Sequence, residues 1–135
     1  MANFVLTDAS VVVNAVDLSD QVRQVTVSVE ADVQENTAMG DTYRSRLGGL
    51  KDWSLEIEFN QDFAAGEVDA TLWPLIGTPT TVTVKPTSAA VSATNPTFSG
   101  SAILNSYPPL SGSVGDVSTA SVSFQGAGTL TRATA

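Results

Sequence analysis

The chain has 135 residues, enough for a single domain that buries roughly two-thirds of its unfolded surface. It holds neither cysteine nor histidine, which excludes disulfides, thiolate metal sites, His-based catalytic triads and the usual imidazole base. Fourteen acids against six bases give −8, and thirteen of the acids precede residue 71, a balance that argues against tight nucleic-acid binding.

The opening MANFVLTDAS lacks the basic start and apolar run of a signal peptide, and no stretch nears the roughly 20 apolar residues of a membrane span. The chain therefore reads as soluble, made in the cytoplasm and free of membrane contact. Strand chemistry then dominates, with Val, Thr and Ser abundant. SVVVNAV (10–16) reads as a first strand and DLSD (17–20) as a turn. In QVRQVTVSVEADV (21–33), Val25, Val27 and Val29 alternate with Thr26, Ser28 and Glu30. Residues 34–50, QENTAMGDTYRSRLGGL, keep no period of either kind and read as a long loop or arm.

The strand at 51–60 is the most regular in the chain. Trp53, Leu55, Ile57 and Phe59 alternate with Ser54, Glu56, Glu58 and Asn60, giving one buried and one wet face. GEVDATLWPLIG (66–77) is the one helix candidate, with Val68, Leu72, Leu75 and Ile76 near helical spacing and Gly77 at its end; Pro74 limits it to about two turns. TTVTVKP (80–86) is a short strand, 87–96 a small-residue loop, FSGSAILNSY (98–107) a strand and 107–116 a turn-rich connection. VSTASVSFQGAGTL (117–130) closes the series with Ala120, Val122 and Phe124 on one face, and 131–135 reads as a flexible tail. The expected fold is one mainly β domain spanning 1–135: a β-sandwich or partly closed barrel of about six to eight strands, one short helix and a long inter-strand loop. Free strand edges of this kind invite completion by a neighbouring subunit.

Little in the chain suggests catalysis. Glu56 and Glu58 share a strand face, yet no third ligand, pocket or nucleophile accompanies them, so they read as a solvated acidic face. DFAAGEVD (62–69) lacks the alternating oxygen ligands of a calcium loop. GSVGD (112–116) and QGAGTL (125–130) lack the lysine and helix that cradle a phosphate. No enzyme activity, cofactor or metal is expected. Trp53 is in phase with the buried row and reads as core rather than as a sugar platform, whereas Trp73 suits either packing on the sheet or an interface.

The 17-residue arm joins two of the best strands, where a hairpin needs only two to five linking residues. Its content suits contact. Tyr43, Arg44 and Arg46 are interface-rich types, Met39, Leu47 and Leu50 are apolar, and Asp41 adds a polar contact. A mobile surface loop is the alternative.

The stretch GDTYRSRLGGLKDWSLEIEF, with an alternating strand before it and VDATLWPLIG, TVTVKP, FSGSAILNSY and VSTASVSFQGAGTLT after it, resembles the tail tube proteins (major tail proteins) of long-tailed bacteriophages. The resemblance covers most of residues 10–132 and implies a β-sandwich protomer with a flanking helix, assembled into hexameric rings whose inner sheets form one continuous barrel. Stacked rings would form a virion tail tube through which DNA passes without specific binding. Tape-measure, tail-terminator and distal-tail proteins would be its other partners. The family role of the long loop falls on Glu35–Leu50, with Tyr43, Arg44 and Arg46 reaching neighbouring subunits or the next ring. The acidic lumen of such tubes would fall on Ser28, Glu30, Glu56 and Glu58, because a wall that weakly repels a polyanion lets it slide. The chain carries no counterpart of the extra C-terminal immunoglobulin-like domain of larger members. Other readings are a tail terminator, connector or decoration protein, a tube protein of a contractile secretion system, or a monomeric β-sandwich binding module.

Overall fold

A computed structural model describes residue 3 and residues 5–134. The eight strands are β1 (Ser10–Val13), β2 (Val16–Asp17), β3 (Val22–Glu35), β4 (Arg46–Asn60), β5 (Pro79–Lys85), β6 (Thr97–Ser106), β7 (Thr119–Gly126) and β8 (Thr131–Ala133). They form one antiparallel sheet in the order β2-β1-β5-β6-β7-β4-β3, with β8 beside β6. The mainly β expectation holds. Two local differences have simple causes. SVVVNAV is a tight hairpin rather than one strand, because Asn14 and Ala15 take φ of 51° and 65°, the left-handed pair that turns a two-residue hairpin. The segment expected to be a flexible tail instead forms β8, whose backbone pairs with Thr97–Ser99; residue 135 lies outside the described residues.

The alternating rows build the core. Trp53, Leu55, Ile57 and Phe59 of β4 are buried with Val82 and Val84 of β5, Ala102 and Leu104 of β6, and Ala120, Val122 and Phe124 of β7. The sheet curls so that Val25, Val27 and Val29 of β3 share an apolar groove with Leu6, Ala9, Val84 and Phe98. No ladder joins β3 to β1 across that seam, so the barrel is only partly closed.

β6 is the strand on which the curl turns. Its first half pairs with β8, its second half with β7, and both partners lie on the side away from β5. Trp53 fills the break between them. Its Nε1–H donates to the Gly128 carbonyl at 2.8 Å. A Cβ on Gly126 would collide with the indole, and one on Gly100 would sit 3.0 Å from its Cζ2, so the ring lies on a bed that only glycine provides.

One end of the barrel is covered by α1 (Val68–Leu72) and a 3-10 turn at Trp73–Leu75, which bury Val68, Thr71, Leu72 and Leu75. Pro74 enters at the start of the 3-10 turn, where its missing N–H is harmless, so helix and turn together span the two turns expected. Gly77, at φ 76°, closes the segment by donating its N–H to the Leu104 carbonyl at 3.1 Å. Tyr107 ties this cover to the next loop. Its hydroxyl donates to Asp69 Oδ1 at 2.8 Å and accepts from Gln61 Nε2 at 2.9 Å, and Gln61 also donates to the Pro109 carbonyl at 2.6 Å.

Burial, with the Asp69 carboxylate adding to it, pushes the Tyr107 phenol up to about 12. A phenol held neutral in the fold stabilises fully below pH 10, its ordinary value, and that contribution disappears as pH rises towards 12. Wild type should therefore lose about 1–2 kcal/mol across this window, allowing for solvent screening, and Tyr107→Phe should not. Urea midpoints measured from pH 8 to 12 check this; parallel pH curves for the two proteins would refute it.

Candidate functional site

The register of β3, β4 and β7 fixes what their outer face displays. Gln24 faces Glu58, Thr26 faces Glu56, Ser28 faces Ser54 and Glu30 faces Asp52. On the other side of β4, Glu58, Glu56 and Ser54 face Ser121, Ser123 and Gln125. Paired residues share a face, and these alternate with the buried row. The structure thus brings Ser28, Glu30, Glu56 and Glu58 onto one surface, with Asp52 as a fourth carboxylate. A shallow groove lined by Gln24, Thr26, Glu56, Glu58, Ser121 and Ser123 runs across it.

This face holds acids, hydroxyls and amides. Among the described residues its one ion pair is Arg23 to Glu58 at 3.6 Å, at the edge where a register shift between Val22 and Gln24 lets Arg23 bulge out. Glu30 directly opposite Asp52 places like charges together, which costs stability. The outer face of β1, β5 and β6 differs. Ser10, Val12, Thr81, Thr83, Lys85, Ser99 and Ser101 occupy its outward positions, and none is acidic. Carboxylates therefore concentrate on the β3, β4 and β7 side, whereas the outward positions of β1, β5 and β6 carry the single charge of Lys85. No group of three or more acids, histidines or cysteines among the described residues could hold a metal ion.

The arm is mostly strand, which corrects the expectation of a 34–50 loop. Val33 pairs with Gly48, Gln34 with Leu47 and Glu35 with Arg46, so the connecting loop is only residues 36–45. Between the pairs Ala31–Lys51 and Val33–Gly48, β3 advances two residues and β4 three. The extra residue falls at Gly49–Leu50, opposite Asp32, and an added Cβ on Gly49 would lie 3.3 Å from Asp32 Cβ and its carbonyl. This bulge reverses the facing of β4 beyond it and erases the alternation that would have revealed a strand.

Residues 28–52 are exposed throughout, so the arm stands clear of the body. Its tip is internally braced. Asn36 N–H donates to the Ser45 carbonyl at 2.9 Å, Ser45 N–H to Thr37 Oγ1 at 2.8 Å and Ala38 N–H to Asp41 Oδ2 at 2.8 Å. Arg44 Nη1 meets Glu35 Oε1 at 3.0 Å. Of the interface candidates, Asp41 and Arg44 are thus engaged within the tip. Met39, Tyr43, Leu47 and Leu50 project into solvent, and Arg46 has no carboxylate at ion-pair distance among the described residues. Leu47 and Arg46 lie on opposite faces of the hairpin, as successive strand residues must.

At the covered end of the barrel, sequence reasoning left Trp73 between packing and an interface and did not single out the exposed residues beside it. Phe63, Trp73 and Ile76 are exposed there, and Trp73 at 59% is far from the core packing that was one of its two readings. The signal was the helix pattern itself, because Leu72 and Leu75 supply the buried side and leave Trp73 and Ile76 outside.

No protein-family model and no curated protein sequence matches the chain. Its fold does have solved counterparts. A chain of a structure described as the virion of a native gene transfer agent (GTA) particle superposes with a TM-score of 0.75 at 16% identity, over 93% of this chain and 95% of that one. A chain from the tail of an empty GTA particle, refined with C6 symmetry, gives 0.67 at 17% identity over 82% and 81%. The overall fold is thus one found in a GTA virion and in a C6-symmetric GTA tail.

Proposed function

We propose that this chain is a non-enzymatic structural protomer of a phage-like tail tube, assembling with copies of itself into stacked rings of six whose bore passes DNA. The observation that carries the reading is the segregated acidic face of β3, β4 and β7, on a fold shared with a chain of a C6-symmetric tail. Lining a bore with Glu30, Asp52, Glu56 and Glu58 gives a polyanion weak repulsion, with the one cation of the face, Arg23, already paired to Glu58. The like-charge pair Glu30–Asp52, costly in one protomer, then has a use. The exposed arm supplies contact between subunits or rings through Met39, Tyr43, Leu47, Leu50 and Arg46, with Asp41 and Arg44 shaping its tip. Tape-measure, terminator and distal-tail proteins would meet the ends of such a tube, and the virion would be its location.

Electron microscopy of the purified protein across a concentration series, with mass measured in parallel, tests this. Six-fold rings or hollow tubes are expected; a monomer at every concentration would sink the reading in favour of a lone β-sandwich module. Reversing the wall with Glu56→Lys and Glu58→Lys should leave assembly intact and slow DNA release from assembled particles at least tenfold. Unchanged release would move the bore to another face.

A further inference from the structure

The two ends of the protomer differ in a complementary way. β4 runs from the arm at Arg46 to Asn60, and the chain then turns through 61–67 into α1. The arm and the α1 cover therefore lie at opposite ends of one 15-residue strand, about 50 Å long at strand rise. At the α1 end, Trp73 and Ile76 are exposed while Leu72 and Leu75 are buried. Phe63 is exposed on the same segment.

This end is also acidic without relief. Residues 52–84 contain no lysine or arginine, and they carry Asp62, Glu67 and Asp69. Partial burial, with the carboxylates of Asp20 and Asp62 adding to it, pushes the Glu67 carboxyl up. The arm presents the inverse: apolar Met39, Tyr43 and Leu47 with no core contact, and Arg46 and Lys51 with no acid at ion-pair distance among the described residues.

We propose that the α1 end is the receptor for the arm of a second copy of this chain, with Trp73 and Ile76 taking the arm's apolar side chains and Asp62 and Glu67 its Arg46. The inference rests on the tube reading and names its contact surface. Donor and acceptor are different surfaces at opposite poles, so the contact is heterologous. Two copies leave one arm and one receptor free, and the series continues along the strand direction. A covered Trp73 also removes the largest apolar side chain exposed on the body outside the arm.

The absence of cysteine makes the test clean. The double variant Tyr43→Cys with Trp73→Cys, treated with a short bis-maleimide after assembly, should give a ladder of covalent multimers on denaturing gels. Tyr43→Cys with Ser121→Cys on the acidic face should give none. In parallel, Arg46→Glu should raise the concentration needed for assembly at least tenfold, and adding Glu67→Lys to the same chain should restore it, with circular dichroism confirming folded protomers. Normal tubes with no ladder and no effect of Arg46→Glu would place the arm's receptor elsewhere while leaving the tube reading standing. Folded protomers that never assemble at any concentration would overturn both.

Discussion

Replacing Trp53 with alanine is expected to lower the unfolding free energy by about 3–5 kcal/mol, the range for removing a large buried aromatic. The indole is 5% exposed and sits where β6 exchanges one partner strand for another. Its loss opens a cavity over Gly100 and Gly126 and leaves the Gly128 carbonyl without its donor. Neither glycine can fill that space in the altered protein. β8 is held to β6 by three residue pairs beside this ring, so it should detach first, seen as faster amide exchange at Thr131–Ala133. Gly126→Val tests the same packing from the opposite side, since its side chain would overlap the indole, and a loss of about 1–3 kcal/mol is expected. Urea unfolding followed by circular dichroism reads both. A Trp53→Ala midpoint equal to wild type would show that the break is held by the backbone alone.

The strands that proved legible were those with one buried and one wet face over an uninterrupted run. Trp53 to Asn60 is the clearest case, because its period survives for eight residues and its partners on both sides share the pattern. The short helix was legible for a similar reason, with Pro74 marking where α-geometry must stop. The hairpin at Asn14–Ala15 was not, because a run of valines hides a turn whose only signal is one asparagine. The end strand β8 was hidden by its composition: Thr131, Arg132 and Ala133 gain their place from pairing with β6, a distant contact that local pattern cannot carry.

The candidate surfaces divide in the same way. The acidic face could be read from parity, since Ser28, Glu30, Glu56 and Glu58 fall on the wet side of two strands whose register the buried valines and aromatics set. That Asp52 joins them, and that the outward positions of β1, β5 and β6 hold no acid, needed the strand order. The arm was visible as an anomaly but its form was not. One extra residue at Gly49–Leu50 breaks the alternation, and an amphipathic pattern is lacking because neither face of an exposed hairpin is buried. Arg44 looked available for a partner, yet its guanidinium closes on Glu35 of its own tip. Which cations are free is a question of three-dimensional pairing: of Arg44, Arg46 and the adjoining Lys51, the last two have no carboxylate at ion-pair distance among the described residues.

Excising the arm tip should separate folding from assembly more sharply than any point change. Replacing residues 36–45 with Asn-Gly keeps the Glu35–Arg46 pair and supplies a two-residue turn suited to that register. The excised residues touch no core side chain, and their hydrogen bonds run to one another or to Glu35. Stability should therefore shift by less than about 1 kcal/mol, within the range of surface changes. Assembly should fall much further. Met39 and Tyr43 leave the molecule, and the shortened hairpin cannot reach a receptor that the full arm spans. The expected result is a two-state melt close to wild type together with loss of tubes in negative stain, even at concentrations at least tenfold above the wild-type threshold. Tubes of normal length from the shortened protein would mean that sheet edges alone hold copies together, and the arm would revert to a mobile loop. Loss of the β-type circular dichroism signal would instead show that the tip nucleates the β3–β4 hairpin, the longest pairing in the fold.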